Sequence, residues 1–237
     1  MSSKNITEDG TFRLDLKYWD PQGCKAVETL RKVGASSIKS LNTISTRRGK
    51  SPKAETYVDE KDGYALVVKA GSNITKFGEL LVEGDFIEKA VYDDMSAFHL
   101  KKDDVLLAST GTGTMGKACV YDSQWPAVAD GHVTVIRVDP KQVNPYYLAD
   151  YFRVGAGAMQ IERFYTGSTG LTELQPEEVD QILIDLLSGV DEQKAASNAL
   201  RTAQKSFQKA QQGAALQLAE ARAQFAKTDH VSVKKTA

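Results

Sequence analysis

The stretch that most constrains this chain lies at its C-terminus. From Asp191 to Lys227 there is no Pro, and Leu200, Ala203, Phe207, Ala210, Ala214, Leu218, Ala221 and Phe225 recur at steps of three and four. That spacing is a coiled-coil seam. A helix of about 36 residues is roughly 54 Å long, and the other positions are mainly Gln, Lys, Arg, Glu and Ser. The apolar stripe is too narrow for such a rod to be a core element, so the pattern predicts a partner helix. Packing on the chain's own globular part is the alternative. Gly213 costs about 1 kcal/mol of helix propensity in either case.

Ahead of the rod, a chain of 237 residues with 41% hydrophobic and 8% aromatic content can build one large or two small domains. No apolar run follows the start MSSKNITEDG, and no stretch approaches eighteen consecutive apolar residues. Neither a signal peptide nor a membrane span is expected, which points to the cytoplasm and to no membrane partner. Cys24 and Cys119 lack CxxC or Cys/His spacing, which argues against a disulfide framework and a metal site. With a net charge of -1 there is no global basic field, so any nucleic-acid contact must come from local patches.

Residues 1–11 are polar and expected to be loose, as is the tail 228–237. Thr11 to Tyr18 alternates like a strand. Asp20-Pro21 then opens a helix, with Asp20 as cap and Gly34 as stop. The densest basic spot follows, Thr46-Arg47-Arg48-Gly49-Lys50-Ser51-Pro52-Lys53, read as a shaped turn whose four cations suit phosphate or base contacts. A solvated loop is the plainer reading. Tyr64–Lys69, Phe86-Ile87, Phe98–Leu100, Val105–Ser109 and His132–Arg137 read as strands.

Gly111-Thr-Gly-Thr-Met-Gly116-Lys117 matches GxGxxG and most of GxxxxGK[ST], but Ala118 stands where a P-loop needs a hydroxyl. Lys117–Tyr121 also reads as a strand, whereas both nucleotide motifs need a helix there. What remains is a glycine-rich hairpin with Thr110, Thr112, Thr114 and Lys117 near a slim tip, able to approach a DNA backbone or groove edge. His132 belongs to no catalytic arrangement and reads as structural. Asn144-Pro145-Tyr-Tyr faintly resembles a base-holding methyltransferase loop; a helix start, Asn144 capping and Pro145 first, is the simpler physics. Gly155 to Gly157 is expected to end that helix. Arg163, Tyr165 and the hydroxyl-rich Thr166–Leu171 loop, with Ser168 and Thr169, form a further candidate contact surface.

In order and spacing these pieces resemble the specificity subunits of type I restriction-modification enzymes. The residues that carry it are Tyr18-Trp-Asp-Pro21, Arg48-Gly-Lys-Ser-Pro52, Asp104-Val-Leu-Leu-Ala with Gly111–Lys117, Pro145-Tyr-Tyr-Leu, Gly167-Ser-Thr169 with Leu174, and Asp191-Glu-Gln193. The match runs from about Phe12 to Phe225. The resemblance implies an α+β fold: a target recognition domain (12–189) with a mixed, twisted sheet and short helices, followed by one long C-terminal coiled-coil helix (190–227). Full-length members carry two such units with antiparallel spacer helices. This chain carries one and shows no internal repeat, so a homodimer reading a bipartite site in double-stranded DNA is implied. The chain departs from the family at Asp103, which replaces the usual Gly, and at Leu186–Val190, where prolines are usual.

The resemblance further implies a non-catalytic subunit with no cofactor of its own. Methylation belongs to a DNA adenine methyltransferase (modification) subunit, with a restriction/translocase subunit as a further partner; S-adenosylmethionine and ATP are expected on those partners. Arg47, Arg48, Lys50, Lys53, Thr110, Thr112, Thr114, Lys117, Arg163, Tyr165, Ser168 and Thr169 are the expected DNA contacts, and the seam from Leu200 to Phe225 the expected dimer interface. A coiled-coil adaptor that binds no DNA is the competing expectation, and an ATP-dependent enzyme using Gly111–Lys117 ranks behind both.

Overall fold

Two local signals set the helices that flank the sheets. Asp20 caps α1 (Pro21–Lys32) by accepting the Gly23 amide, and Gly34 at φ 79° stops it. The computed structural model describes residues 13, 15–41, 45–167 and 172–233, with side chains to 227. The remaining elements are β1 (Ser36–Ser37), β2 (Ser45–Arg48), β3 (Tyr57–Val58), β4 (Ala65–Val68), β5 (Phe86–Ile87), α2 (Lys89–Asp94), β6 (Val105–Ala108), β7 (Ala118–Val120), β8 (Ala127–Ala129), β9 (Val133–Arg137), α3 (Pro145–Arg153), α4 (Gly155–Phe164), α5 (Pro176–Asp180), β10 (Leu183–Ile184) and α6 (Val190–Val233). Asn144 caps α3 through the Tyr147 amide, with Pro145 first. The expected loose segment 1–11 and the tail beyond 233 lie outside the described residues.

Two sheets carry the first unit, Met1–Ala195. One is antiparallel throughout, in the order β2-β9-β6-β7; the other is mixed, β3-β5-β4-β8, with β4 and β8 parallel; β1 and β10 pair separately. The strands read as continuous apolar runs because both faces are covered. Period-two alternation sends Leu66, Val68, Leu106, Ala108, Cys119 and Val135 into a core shared by the two sheets. Val105, Leu107, Val120 and Ile136 face a second core with Leu148 and Phe152 of α3 and Ile161 of α4. Ala65, Val67 and Val128 turn to a third, with Met95 and the rings of Tyr92 and Phe98. Full burial stabilises each such aliphatic side chain by about 1.5–3 kcal/mol.

Local expectations fail where long-range pairing decides. Leu16–Trp19 is a turn rather than a strand, held by the Tyr18 amide on Asp15 Oδ1 at 3.0 Å. Ser96–Phe98 is a short 3-10 turn, and His99 makes a single bridge to Val128. α3 ends at Arg153, just before Gly155, and a further helix, α4, opens at Gly155 itself, at φ 63°. Arg47 and Arg48 are not in a turn: they belong to β2, opposite Val135 and Thr134 of β9.

The second unit is Ala196–Ala237, a single helical run that continues to Val233. Phe207, Leu218 and Phe225 are 54%, 52% and 73% exposed, and Leu200 is half-buried. Among the described residues no helix is long and apolar enough to cross a membrane.

Candidate nucleic-acid interface

The glycine-rich segment joins antiparallel β6 and β7, so it is a hairpin tip and not a phosphate-cradling helix start. Gly111, Gly113 and Gly116 all take left-handed φ, at 89°, 85° and 80°, a region costly for residues with a Cβ. The Thr114 hydroxyl donates to the Gly111 carbonyl at 3.0 Å, and the Gly116 amide closes on Ala108 O at 3.0 Å. Thr112 and Gly113 are the exposed apex.

Three segments far apart in sequence meet at this tip. The Gly111 amide donates to Thr172 O at 2.9 Å, Leu174 N donates to Ser109 O at 2.9 Å, and Thr166 and Glu173 exchange backbone bonds at 2.8 Å each way. Glu173 bridges both Thr110 and Thr166. The end of β2 joins them through Arg48, which donates to Ser109 Oγ at 3.2 Å, Leu174 O at 3.1 Å and Gln175 Oε1 at 2.9 Å. Beyond it, the Gly49 and Lys50 amides bond Val133 O and Ala129 O at 2.9 Å each, and the Gly131 amide donates to Ser51 Oγ at 3.1 Å. A Cβ on Gly49 would overlap the Ala129 and Asp130 carbonyls, so only glycine allows this close approach.

The expected contact residues divide accordingly. Lys50 and Lys53 are exposed, Thr112 is exposed, and Thr110, Thr114 and Lys117 are half-buried around the tip. Arg47 and Arg48, adjacent in a strand, point to opposite faces. Arg47 donates to the carbonyls of Ala97 and His99 and lies 5.8 Å from the Phe98 ring centroid, away from the tip. Arg163 is buried in α4 with its guanidinium 4.3 Å from the Tyr18 ring centroid, one turn back from the loop. Tyr165 is half-buried; its carbonyl accepts from Lys17 Nζ at 2.8 Å, and the same ammonium lies over its ring. Ser168 and Thr169 lie outside the described residues.

Beside the tip opens a cleft of about 320 Å3, walled by Lys69 and Ser72 beyond β4, Thr110 and Thr114 of the hairpin, and Asp130 and His132 of the β8–β9 turn. The Thr110 hydroxyl and His132 Nδ1 are 2.7 Å apart. Asp130 Oδ1 accepts the His132 amide at 2.9 Å, and burial pushes the Asp130 carboxyl above its ordinary range. Lys69 is held by Asp85 at 2.6 Å, and the hydrogen bond it donates to that carboxylate holds the ammonium pKa above its usual value. Lys69 and Asp130 were not legible as site residues, because one ends an apolar strand and the other reads as an ordinary Asp-Gly turn. His132, read as structural, is exposed at the cleft wall. Among the described residues no cluster of His, Cys, Asp and Glu is suited to a metal ion.

No family model and no curated protein matches this chain. Solved structures do. A chain from the complex assembly and conformational transition of the type I R-M system aligns at a TM-score of 0.51 with 11% identity, over 78% of this chain and 45% of that one. The S subunit of the type I restriction-modification system from M. genitalium aligns at 0.50 with 14% identity, over 73% of this chain and 39% of that one. The type IIG restriction endonuclease BpuSI aligns at 0.53 with 10% identity, over 78% of this chain and 28% of that one. The likeness is one of fold: mixed sheets and short helices, followed by a long C-terminal helix, as in a type I S subunit. This chain spans less than half the length of each of these structures.

Proposed function

We propose that this chain, folded like a type I S subunit over less than half that subunit's length, is a sequence-specific DNA-recognition subunit of a type I restriction-modification methyltransferase complex. It dimerises through α6 to read a bipartite site in double-stranded DNA, while methylation and any cleavage reside in partner subunits. The observation that carries the reading is the junction of the β6–β7 tip, the 166–173 segment and the end of β2. Small hydroxyl side chains and backbone amides sit there, a mixture that suits phosphate positioning and base-edge reading.

The seam of α6 supports a second copy as the occupant of its apolar face. Leu200 and Phe225, and Phe207 and Leu218, are each placed symmetrically about the Gln212–Gly213 bond. Two antiparallel helices with a dyad there oppose large apolar residues to each other. Two heads on one dyad read two half-sites of a palindrome.

The test is duplex binding by fluorescence anisotropy across a salt series, with and without a methyltransferase subunit. A linear fall of log affinity with log salt, steepened by the partner, is expected. A protein-interaction adaptor, favoured by the exposed Phe207 and Phe225, would bind no duplex under either condition.

A further inference from the structure

We infer that the cleft beside the hairpin tip reads one base through its exocyclic amine, an adenine N6 or a cytosine N4, with Asp130 as the acceptor and His132 beside it. The inference rests on the DNA-recognition reading and assigns a specificity-determining role to two residues outside the basic and threonine-rich patches.

Asp130 is only 5% exposed yet forms part of the cleft wall. Its carboxylate is fixed, because Oδ1 is held by the His132 amide at 2.9 Å. A carboxylate at such a wall is left partly desolvated, and a donor brought to it recovers that cost. The His132 ring is fixed as well: its Nδ1 is engaged by Thr110 at 2.7 Å, and the ring is exposed. The two groups therefore present a pre-set pattern to whatever enters the cleft.

A phosphate is the poorer occupant. Asp130 would repel it, and the one ammonium on the wall, Lys69, is already neutralised by Asp85 at 2.6 Å. A base edge brings a neutral N–H donor, and acidic side chains accept from exocyclic amines in the major groove. The slim tip leaves room for that approach, since its apex residues are Thr112 and Gly113.

The test is selection of bound sequences from a randomised duplex library by the full chain with its methyltransferase partner, comparing wild type, Asp130→Asn and His132→Ala. Asp130→Asn keeps an acceptor for the His132 amide. His132→Ala changes an exposed ring and leaves the core untouched, so it serves if the first variant misfolds. The expected result is relaxed preference at one adenine or cytosine position in both variants, by roughly 5- to 150-fold, with other positions unchanged. Variants that fold and return the wild-type motif at every position overturn the inference. A wild type that returns no motif overturns the recognition reading itself, and this assignment with it.

Discussion

Arg48 Nη2 lies 3.0 Å from the Glu173 carboxylate, so the end of β2 is tied to the residue that also bridges Thr110 and Thr166. The ion pair is partly exposed and by itself adds little. The same guanidinium also serves Ser109, Leu174 and Gln175, and charged hydrogen bonds of this kind contribute more.

Arg48→Ala is therefore expected to cost about 2 kcal/mol in denaturant unfolding while leaving the salt slope of DNA binding unchanged. Lys50→Ala with Lys53→Ala should do the reverse. Stability stays level and the slope of log affinity against log salt falls by about 2, near 0.9 for each phosphate that is no longer neutralised.

Asp103 has φ 71°, a left-handed conformation in a residue with a Cβ. Asp tolerates this region and β-branched residues do not. Asp103→Val should destabilise by about 1–2 kcal/mol, and Asp103→Gly should be neutral or slightly stabilising. Chemical denaturation of the two variants side by side checks the difference.

The α6 seam gives a solution test. Placing Glu at Phe207 and Leu218 sets unpaired charge into the proposed interface, and the dimer should weaken by well over tenfold in Kd, measured by light scattering over a dilution series. A dimer indifferent to both substitutions would place the interface elsewhere.

Burial raises the Asp130 carboxyl above its unfolded value, which sets the sign of a pH effect. The folded state then holds its proton to higher pH than the unfolded chain does. This group's contribution is present below the unfolded pKa and is lost as pH rises through the raised folded value. Asp130→Asn should remove that loss, so its stability relative to wild type increases with pH above the ordinary Asp range. Unfolding midpoints over a pH series measure it.

Much of the fold was legible where a signal is local. The Asp20-Pro21 and Asn144-Pro145 starts are caps written in adjacent residues, and the strands from Ala65, Val105 and Val133 announce themselves as apolar runs. Arg47 and Arg48 misled, because an edge strand rich in polar residues takes its conformation from β9, nearly ninety residues away. The stop near Gly155 was legible, because a left-handed glycine marks a helix end; the immediate start of α4 was not. The threonine-rich tip was visible in the sequence as a slim loop. Its meeting with Glu173 was not, since backbone bonds between distant loops leave no pattern in composition. Asp130 looked like turn chemistry, and only the tertiary placement of Thr110 and Lys69 around it gives it a second face.

Glu173 serves two loops with one backbone. A protein that acquires new targets by altering its tips would usually change one at a time, but here lengthening the 166–173 segment disturbs the hairpin that it clasps. Retargeting this head thus demands linked changes in both, and an exchange of either loop alone between such proteins should yield heads that fold poorly rather than heads that read a new word.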